Sequence, residues 1–482
     1  MTIFPLALGT QSNPGRSPLE GVARLINMRI EVGGEEQRVK YTAQAVAGLE
    51  LLATLTGTGG VRAMIEVDGV AYAIAGRVVH QFESGGTSSV IGGMPSDGLV
   101  TMARNGRTSG AQVMIVCDGL AKYISGGSLV DITDPDVGQP NSVCVVANHF
   151  VTSSADGYLR ASEINDASDW DGLDVTSAQS DPDGLLRVMA RGTAVIAFGQ
   201  RSFEVWDYTG SNDGFPFQRV HAARVGCWSA AGVVAATLIT QELVTDTIAW
   251  TATDPTGAYA GVVMMDGYTA RKISTHAVDR DMRQCADPTT ITGMSWVEDG
   301  HAYIAWTIPG VTTWVYDTAT SLWHERQSYG QGHWSINTVC TLGNRIIGGH
   351  RSQPKIYWID PETYVEDGAP LVTTIQTPPL HAYPSNLELN EVGLLCQTGV
   401  GLNTTTPADL DPRVMMSMSR DGETWGTELT RALGRQGHGQ VVLKWHGCGT
   451  TDERGVSFKF SASAAVVRSF MMSEPKGNKI AA

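Results

Sequence analysis

Four aspartates crowd the run EINDASDWDGLD, residues 163–174, at Asp166, Asp169, Asp171 and Asp174. Their carboxylate oxygens are hard ligands beside a glycine that permits a sharp turn, the chemistry of a calcium loop. The run lacks the full EF-hand spacing and its bidentate glutamate, so the expectation is a turn whose Asp and Ser side chains accept backbone hydrogen bonds. The eleven histidines form no HExxH pair. The nearest C-terminal two, His438 and His446, stand eight apart across an expected turn and strand, which fits surface or satisfied core histidines better than a metal pair. Seven scattered cysteines without a CxxC read as reduced, buried thiols. Nucleophile elbows and P-loops are absent. No catalytic set, metal or cofactor is therefore expected. A carboxylate pair for glycoside hydrolysis stays open, because the two acids need only meet in space.

The segment SRDGETW, residues 419–425, is similar to the Asp-box hairpin of sialidase propellers. Asp421 would bond its own turn at Gly422, with Trp425 packed beneath. Such boxes are structural. Twelve tryptophans, among them Trp206, Trp250, Trp296, Trp306, Trp314 and Trp323, could stack sugars, but in alternating strands they read as core between blades.

The elements that must position these residues are β-strands. Only 17% of the 482 residues are charged, and 55 are glycine, a balance that favours short strands and tight turns. Five Asp-Gly pairs each sit between two β-like runs: Asp68-Gly69, Asp118-Gly119, Asp156-Gly157, Asp266-Gly267 and Asp299-Gly300. Asp-Gly tolerates the positive φ of a tight turn, so each predicts a hairpin. Segments 312–328 and 355–368 predict hairpins opened by an aspartate and, with Gly348-Gly349, resemble kelch blades. At about 40 to 50 residues per blade, the stretch from 46 to 375 allows six or seven blades. The chain thus reads as all-β: an extended arm at 1–45 containing Pro5, a β-propeller of about six blades at 46–375, a C-terminal β region at 376–472 beyond the proline-rich TPPLHAYPSN, and a flexible tail at 473–482.

Net charge is −15. A uniformly basic, duplex-gripping surface is excluded, because phosphate contact needs clustered Lys and Arg. A negative wall that DNA slides past is compatible. The most apolar stretch, 229–240, is too short for a membrane helix of about 20 residues, and the N-terminus predicts no secretory signal.

In order along the chain, several pieces resemble the packaged-DNA stabilisation proteins, the tail hub or nozzle proteins of short-tailed bacteriophages. At the N-terminus these are Arg16, Pro18, Ala23-Arg24, Ile26-Asn27 and Gly48-Leu49. The central block is residues 167–188, with Trp170, Asp183 and Gly184, followed by FGQRSFEVWDYTG. The C-terminal set includes Gly399 in TGVG, Asp411-Pro412, VMMSMS, Asp421-Gly422, Trp425, Gly434, Trp445 in VLKWHG, and FKFSAS. One departure is HGCGTTDERG at 446–455, where relatives are strongly basic. The resemblance implies a non-enzymatic virion tail protein, made in the host cytoplasm. It implies a homo-oligomeric ring of six copies below the portal and its adaptor, which closes the DNA exit channel and carries tail fibres or spikes and a plugging needle. DNA would pass through without sequence-specific contact. The competing reading is a propeller-based tail protein that binds or degrades carbohydrate.

Overall fold

The computed structural model describes residues 2–480 apart from 5, 7, 19, 35, 37, 38, 212, 213, 241, 242 and 439–441. Pro5, counted in the arm, lies outside the described residues.

The chain is all-β. Six blades of four strands, one with a short fifth (Gly226–Cys227), are each drawn from one continuous stretch, with inner strands Val61–Val67, Val100–Arg104, Ser142–Val146, Leu185–Arg191, Val234–Ile239 and Thr292–Glu298. This continuous set matches the expected count of about six. A composite seventh sheet closes the ring: Ile336–Leu342, Arg345–His350 and Lys355–Asp360 accept Gly48–Thr54 as their outer strand. Inner strands of successive sheets touch around the circle, and Ile336–Leu342 meets Val61–Val67. An apolar core fills each junction. Trp206, Trp250, Trp296, Trp306, Trp314 and Trp323 lie in these cores, with Trp250, Trp306, Trp314 and Trp323 at most 1% exposed. Gly48 opens the closing strand because a Cβ there would sit 2.4 Å from the carbonyl oxygens of both Thr363 and Val365.

Three Asp-Gly pairs form two-residue turns with both φ positive: Asp68 54° and Gly69 87°, Asp118 45° and Gly119 81°, Asp299 51° and Gly300 80°. Two others differ. Gly157 alone is left-handed in a longer turn joined by Ser154 N to Tyr158 O at 3.0 Å. At Asp266 the closing pair is Asp266 with Thr269, so the turn residues are Gly267 and Tyr268. The 312–328 hairpin forms as expected, closing at Asp317 and Leu322. The second does not: Val365–Glu366 pairs with Ala369–Pro370, because Gly48–Thr54 already occupies the edge of Lys355–Asp360.

Beyond the propeller two sheets face each other. One contains Met28–Val32, Tyr41–Ala45, Ser469–Ile480, Asn386–Cys396 and Val442–Thr450; the other contains Arg24–Ile26, Thr373–Gln376, Ser457–Ala462, Arg413–Ser419 and Leu429–Ala432. Their common core includes Leu25, Met28, Leu387, Leu394, Trp445, Phe458 and Phe460. Two expected segment boundaries change. The arm is extended but not free, since it supplies four strands to this sandwich: Thr2–Ile3, Arg24–Ile26, Met28–Val32 and Tyr41–Ala45. The tail expected to be flexible is, through residue 480, the greater part of the strand Ser469–Ile480, paired with Asn386–Cys396. Its buried positions Ser473, Pro475 and Gly477 carry no large apolar side chain, so the strand pattern is hidden in the sequence. Among the described residues no helix is long and apolar enough to cross a membrane.

Candidate functional site

The polar constellation that the sequence did not reveal is the seam where the arm crosses from blade 6 (residues 292–326) into the sandwich. Strand Arg24–Ile26 pairs in parallel with Leu322–Arg326 on one side and antiparallel with Thr373–Gln376 on the other, making one nine-stranded sheet continuous between propeller and sandwich. At Asn27 the chain leaves this sheet for the opposite one. The corner needs a left-handed residue, φ 56°, which asparagine tolerates better than other non-glycine types. Its Nδ2 donates to Gln327 O at 2.9 Å and Val372 O at 2.8 Å, while its Oδ1 accepts from Gln327 N at 3.0 Å. One side chain thus ties arm, propeller and linker together.

Charged groups flank the corner. Arg24 forms a two-pronged pair with the buried Glu325 carboxylate. Arg29 donates to Tyr303 OH and to Asp299 Oδ2, each at 2.9 Å. His301 lies between two carboxylates, Nδ1 to Asp317 Oδ2 at 2.7 Å and Nε2 to Glu31 Oε2 at 3.2 Å. Hydrogen bonding to Asp317, then to Glu31, raises its pKa to about 9, so the ring is charged at neutral pH. The His301 bond correspondingly holds Glu31 low. Nearby, burial drives His324 down to about 3 and leaves it neutral. Arg326 donates to Ala47 O at 2.6 Å and stacks 3.6 Å from the Trp334 ring, whose Nε1 reaches Glu366 Oε1 at 3.0 Å. Burial raises Glu366 and Glu298 and lowers Arg326 to about 10. Every group here is paired or packed against a neighbouring element. The arrangement orients modules; it presents no nucleophile beside a free base.

The residues singled out from sequence are spread over several places. Asp166 Oδ1 accepts from Ser168 N and Oγ at 2.9 and 2.7 Å, and Asp171 Oδ1 accepts from Leu173 N at 2.8 Å, so both bond their own turns. Asp169 lends its carbonyl to Glu163 N at 2.9 Å. Burial, then Asp171 and Glu163, raises Asp174. Among the described residues no three ligand side chains are grouped to hold a metal. Trp170 is buried, its Nε1 on Ala167 O at 2.9 Å. Asp183 caps the turn at Ser202, 3.0 Å from its N, and Gly184 has φ 66°. Gly399 N bonds Leu433 O at 2.7 Å, and Gly401 N bonds Gly434 O at 3.1 Å. Trp445 is fully buried with Nε1 on Leu429 O at 2.9 Å. Asp421 Oδ1 accepts from Glu423 N and Thr424 N at 2.9 and 2.7 Å, bonds that hold its carboxyl far below the usual range. Trp425 is half-buried under Lys459, 5.0 Å from the ring. Arg16 is tied through its N to Glu20 Oε2 at 2.8 Å. Pro18 packs on Gly422, where a Cβ would be 2.6 Å from the Pro18 Cβ. The sequence did carry a trace of the seam: Arg29 and Glu31 alternate with Met28 and Ile30, and WHER ends a predicted strand in charge.

A ring of blades joined through a shared nine-stranded sheet to a β-sandwich, with buried and half-buried ion pairs at the joint, defines a two-module scaffold. The description "Bacteriophage P22 Gp10, beta-propeller" matches residues 25–364, and "Bacteriophage P22 Gp10, beta-sandwich" matches residues 374–474. The chain belongs to this phage DNA-stabilisation family, whose members are structural tail proteins. No curated protein matches it. Among solved structures, the computationally designed Ika8 protein is 13% identical over 70% of this chain and 99% of its own, with TM-score 0.38. The extracellular domain of a putative one component system from B. thetaiotaomicron is 9% identical over 73% of this chain and 43% of its own, with TM-score 0.42.

Proposed function

We propose that the chain is a tail hub: copies close into a ring, six by the family likeness, below the portal and its adaptor. The ring narrows the DNA exit channel, stabilises the packaged genome, and offers surfaces for fibres or spikes and for a plugging needle. The match of both modules in order along one chain carries this reading. The seam supports it, since a module fused through a continuous sheet transmits load without hinging. Charge distribution supports it too. Ten acidic and ten basic residues cancel within 376–482, so the whole net charge of −15 lies in 1–375. Residues 131–183 hold eleven acids and one base, Arg160. A wall of that sign guides DNA by confinement, since it repels phosphate and displaces no counterions. Heterologous contacts about a closed axis would generate the ring.

The test is reconstitution with the neighbouring adaptor followed by negative-stain imaging. The expected result is a closed ring seated on the adaptor. Particles that lack this protein yet package and retain DNA normally would overturn the stabilising role.

A further inference from the structure

Leu173 is 77% exposed, more than any other large apolar side chain among the described residues. It stands on Trp170–Ser177, the last strand of the third blade (residues 142–177), whose outer edge takes no further strand among the described residues. Trp170 anchors the start of that strand in the core, and its N bonds Asp134 Oδ2 at 3.1 Å. One exposed leucine is ordinary on a protein surface. The surroundings of this one are not.

Carboxylates form a collar about it. Asp171 and Asp174 flank it in sequence, and the Asp136 carboxylate lies 3.1 Å from where a Cβ on Gly172 would stand. Asp174 feels both Asp171 and Glu163. Among the described residues none of these four acids forms an ion pair; the neighbouring pairs, Asp131 with Lys122 and Asp181 with Arg224, lie at the margins of the acidic stretch. An apolar knob with an unneutralised acidic rim suits an interface with a basic partner.

The sandwich carries the complementary shape. On Arg413–Ser419, Val414 and Met416 enter the core, so Arg413 and Met415 face outward. There they line a groove of about 530 Å³ with Leu410, Ala464 and Arg435, and with Asp411 as the carboxylate in its wall. Arg413 and Arg435 are exposed, and neither forms an ion pair among the described residues; the pairs of that module use Lys444, His446, Arg454 and Lys476 instead. Knob and groove stand on opposite sides of the molecule. The sandwich joins the propeller at blade 6, and the third blade lies three sheets from it one way and four the other in the circle of seven. A second copy is the occupant these surfaces fit, because the chain carries both halves and presents them head to tail.

We propose that Leu173, within its acidic collar, docks in the groove between Arg413 and Arg435 of a second copy, and that this heterologous contact repeats around the ring. The inference rests on the tail-hub reading and supplies its contact between copies.

The full-length chain is assembled on the adaptor and followed by sedimentation and negative stain. The unaltered chain should form closed rings, and assembly should weaken as sodium chloride rises. Leu173→Asp and Arg413→Glu change exposed positions, should leave Tm unchanged, and should each lower the yield of rings at least tenfold. Mixed in equal amounts they should give dimers and no rings, because the first keeps its groove and the second its knob. Asp136→Arg leaves both Leu173 and the groove in place and should also lower the yield at least tenfold, which keeps the test valid if another variant misfolds. Rings formed by the folded variants as readily as by the unaltered chain would overturn this contact and leave the hub reading standing. An unaltered chain that forms no ring on the adaptor would overturn both.

Discussion

Arg24 Nε donates to Glu325 Oε1 at 3.0 Å across 301 positions of sequence, and the glutamate's side chain is wholly buried. The pair sits where Ile26 registers against Glu325 in the parallel bridge. Removing one partner strands the other without water. Arg24→Ala is expected to cost roughly 3–5 kcal/mol, whereas the double change Arg24→Met with Glu325→Leu should recover most of it. Denaturant unfolding of the single and double variants measures the coupling; additive losses would show that the pair does not hold the seam.

Asn27 makes a second, separable prediction. Asn27→Gly keeps the left-handed corner and loses the amide's bonds, while Asn27→Ala loses both. Each lost bond is worth about 1 kcal/mol, and alanine adds roughly 1 kcal/mol of backbone strain. The order of stability by thermal melting should be Asn, then Gly, then Ala.

His301 links the seam to pH. Its folded pKa of about 9 lies above the ordinary value of 6.5, so its contribution is complete below pH 6.5 and is lost as pH rises through 9. The size expected is on the order of 2 kcal/mol after allowance for solvent screening. Amide exchange in Met28–Val32 should therefore accelerate between pH 6.5 and 9 beyond its intrinsic base catalysis. In His301→Gln that extra acceleration should vanish.

Deleting residues 473–482 tests the long C-terminal strand. Because Ser473 is fully buried and its neighbours pair with Asn386–Leu395, truncation should unfold the sandwich and expose Trp445. A red shift of tryptophan emission and rapid proteolysis beyond residue 376 are expected. A truncated chain with unchanged emission would contradict the pairing.

The aspartate run gives a fifth, independent check. With Asp166 and Asp171 bonded to their own turns, chelation is expected to leave Tm unchanged. A chelator-induced fall that calcium reverses would restore the calcium-loop reading.

Some of this was readable from the residues. Three of the Asp-Gly pairs determined two-residue hairpins because both residues tolerate positive φ, and alternating aromatic strands determined interblade cores. Ordered motifs such as those around Trp170 and Trp445 pointed to the family. The seam was not readable. Arg24, Asn27, Arg29 and Glu31 are ordinary residues in a segment that looked like a loose arm, and their partners Glu325, Gln327, Tyr303 and His301 lie some 270 to 300 positions away.

By itself, then, the sequence determined local geometry: strands, tight turns, the absence of recognised catalytic motifs, and an acid excess in the first 375 residues. Those properties depend on neighbours in the chain, through backbone sterics, side-chain period and composition. Only the tertiary structure decided that Gly48–Thr54 closes the ring and that the two ends of the chain complete the sandwich. Such contacts are set by which strand edges and buried charges remain unsatisfied after local folding, and that is known only when every element is in place.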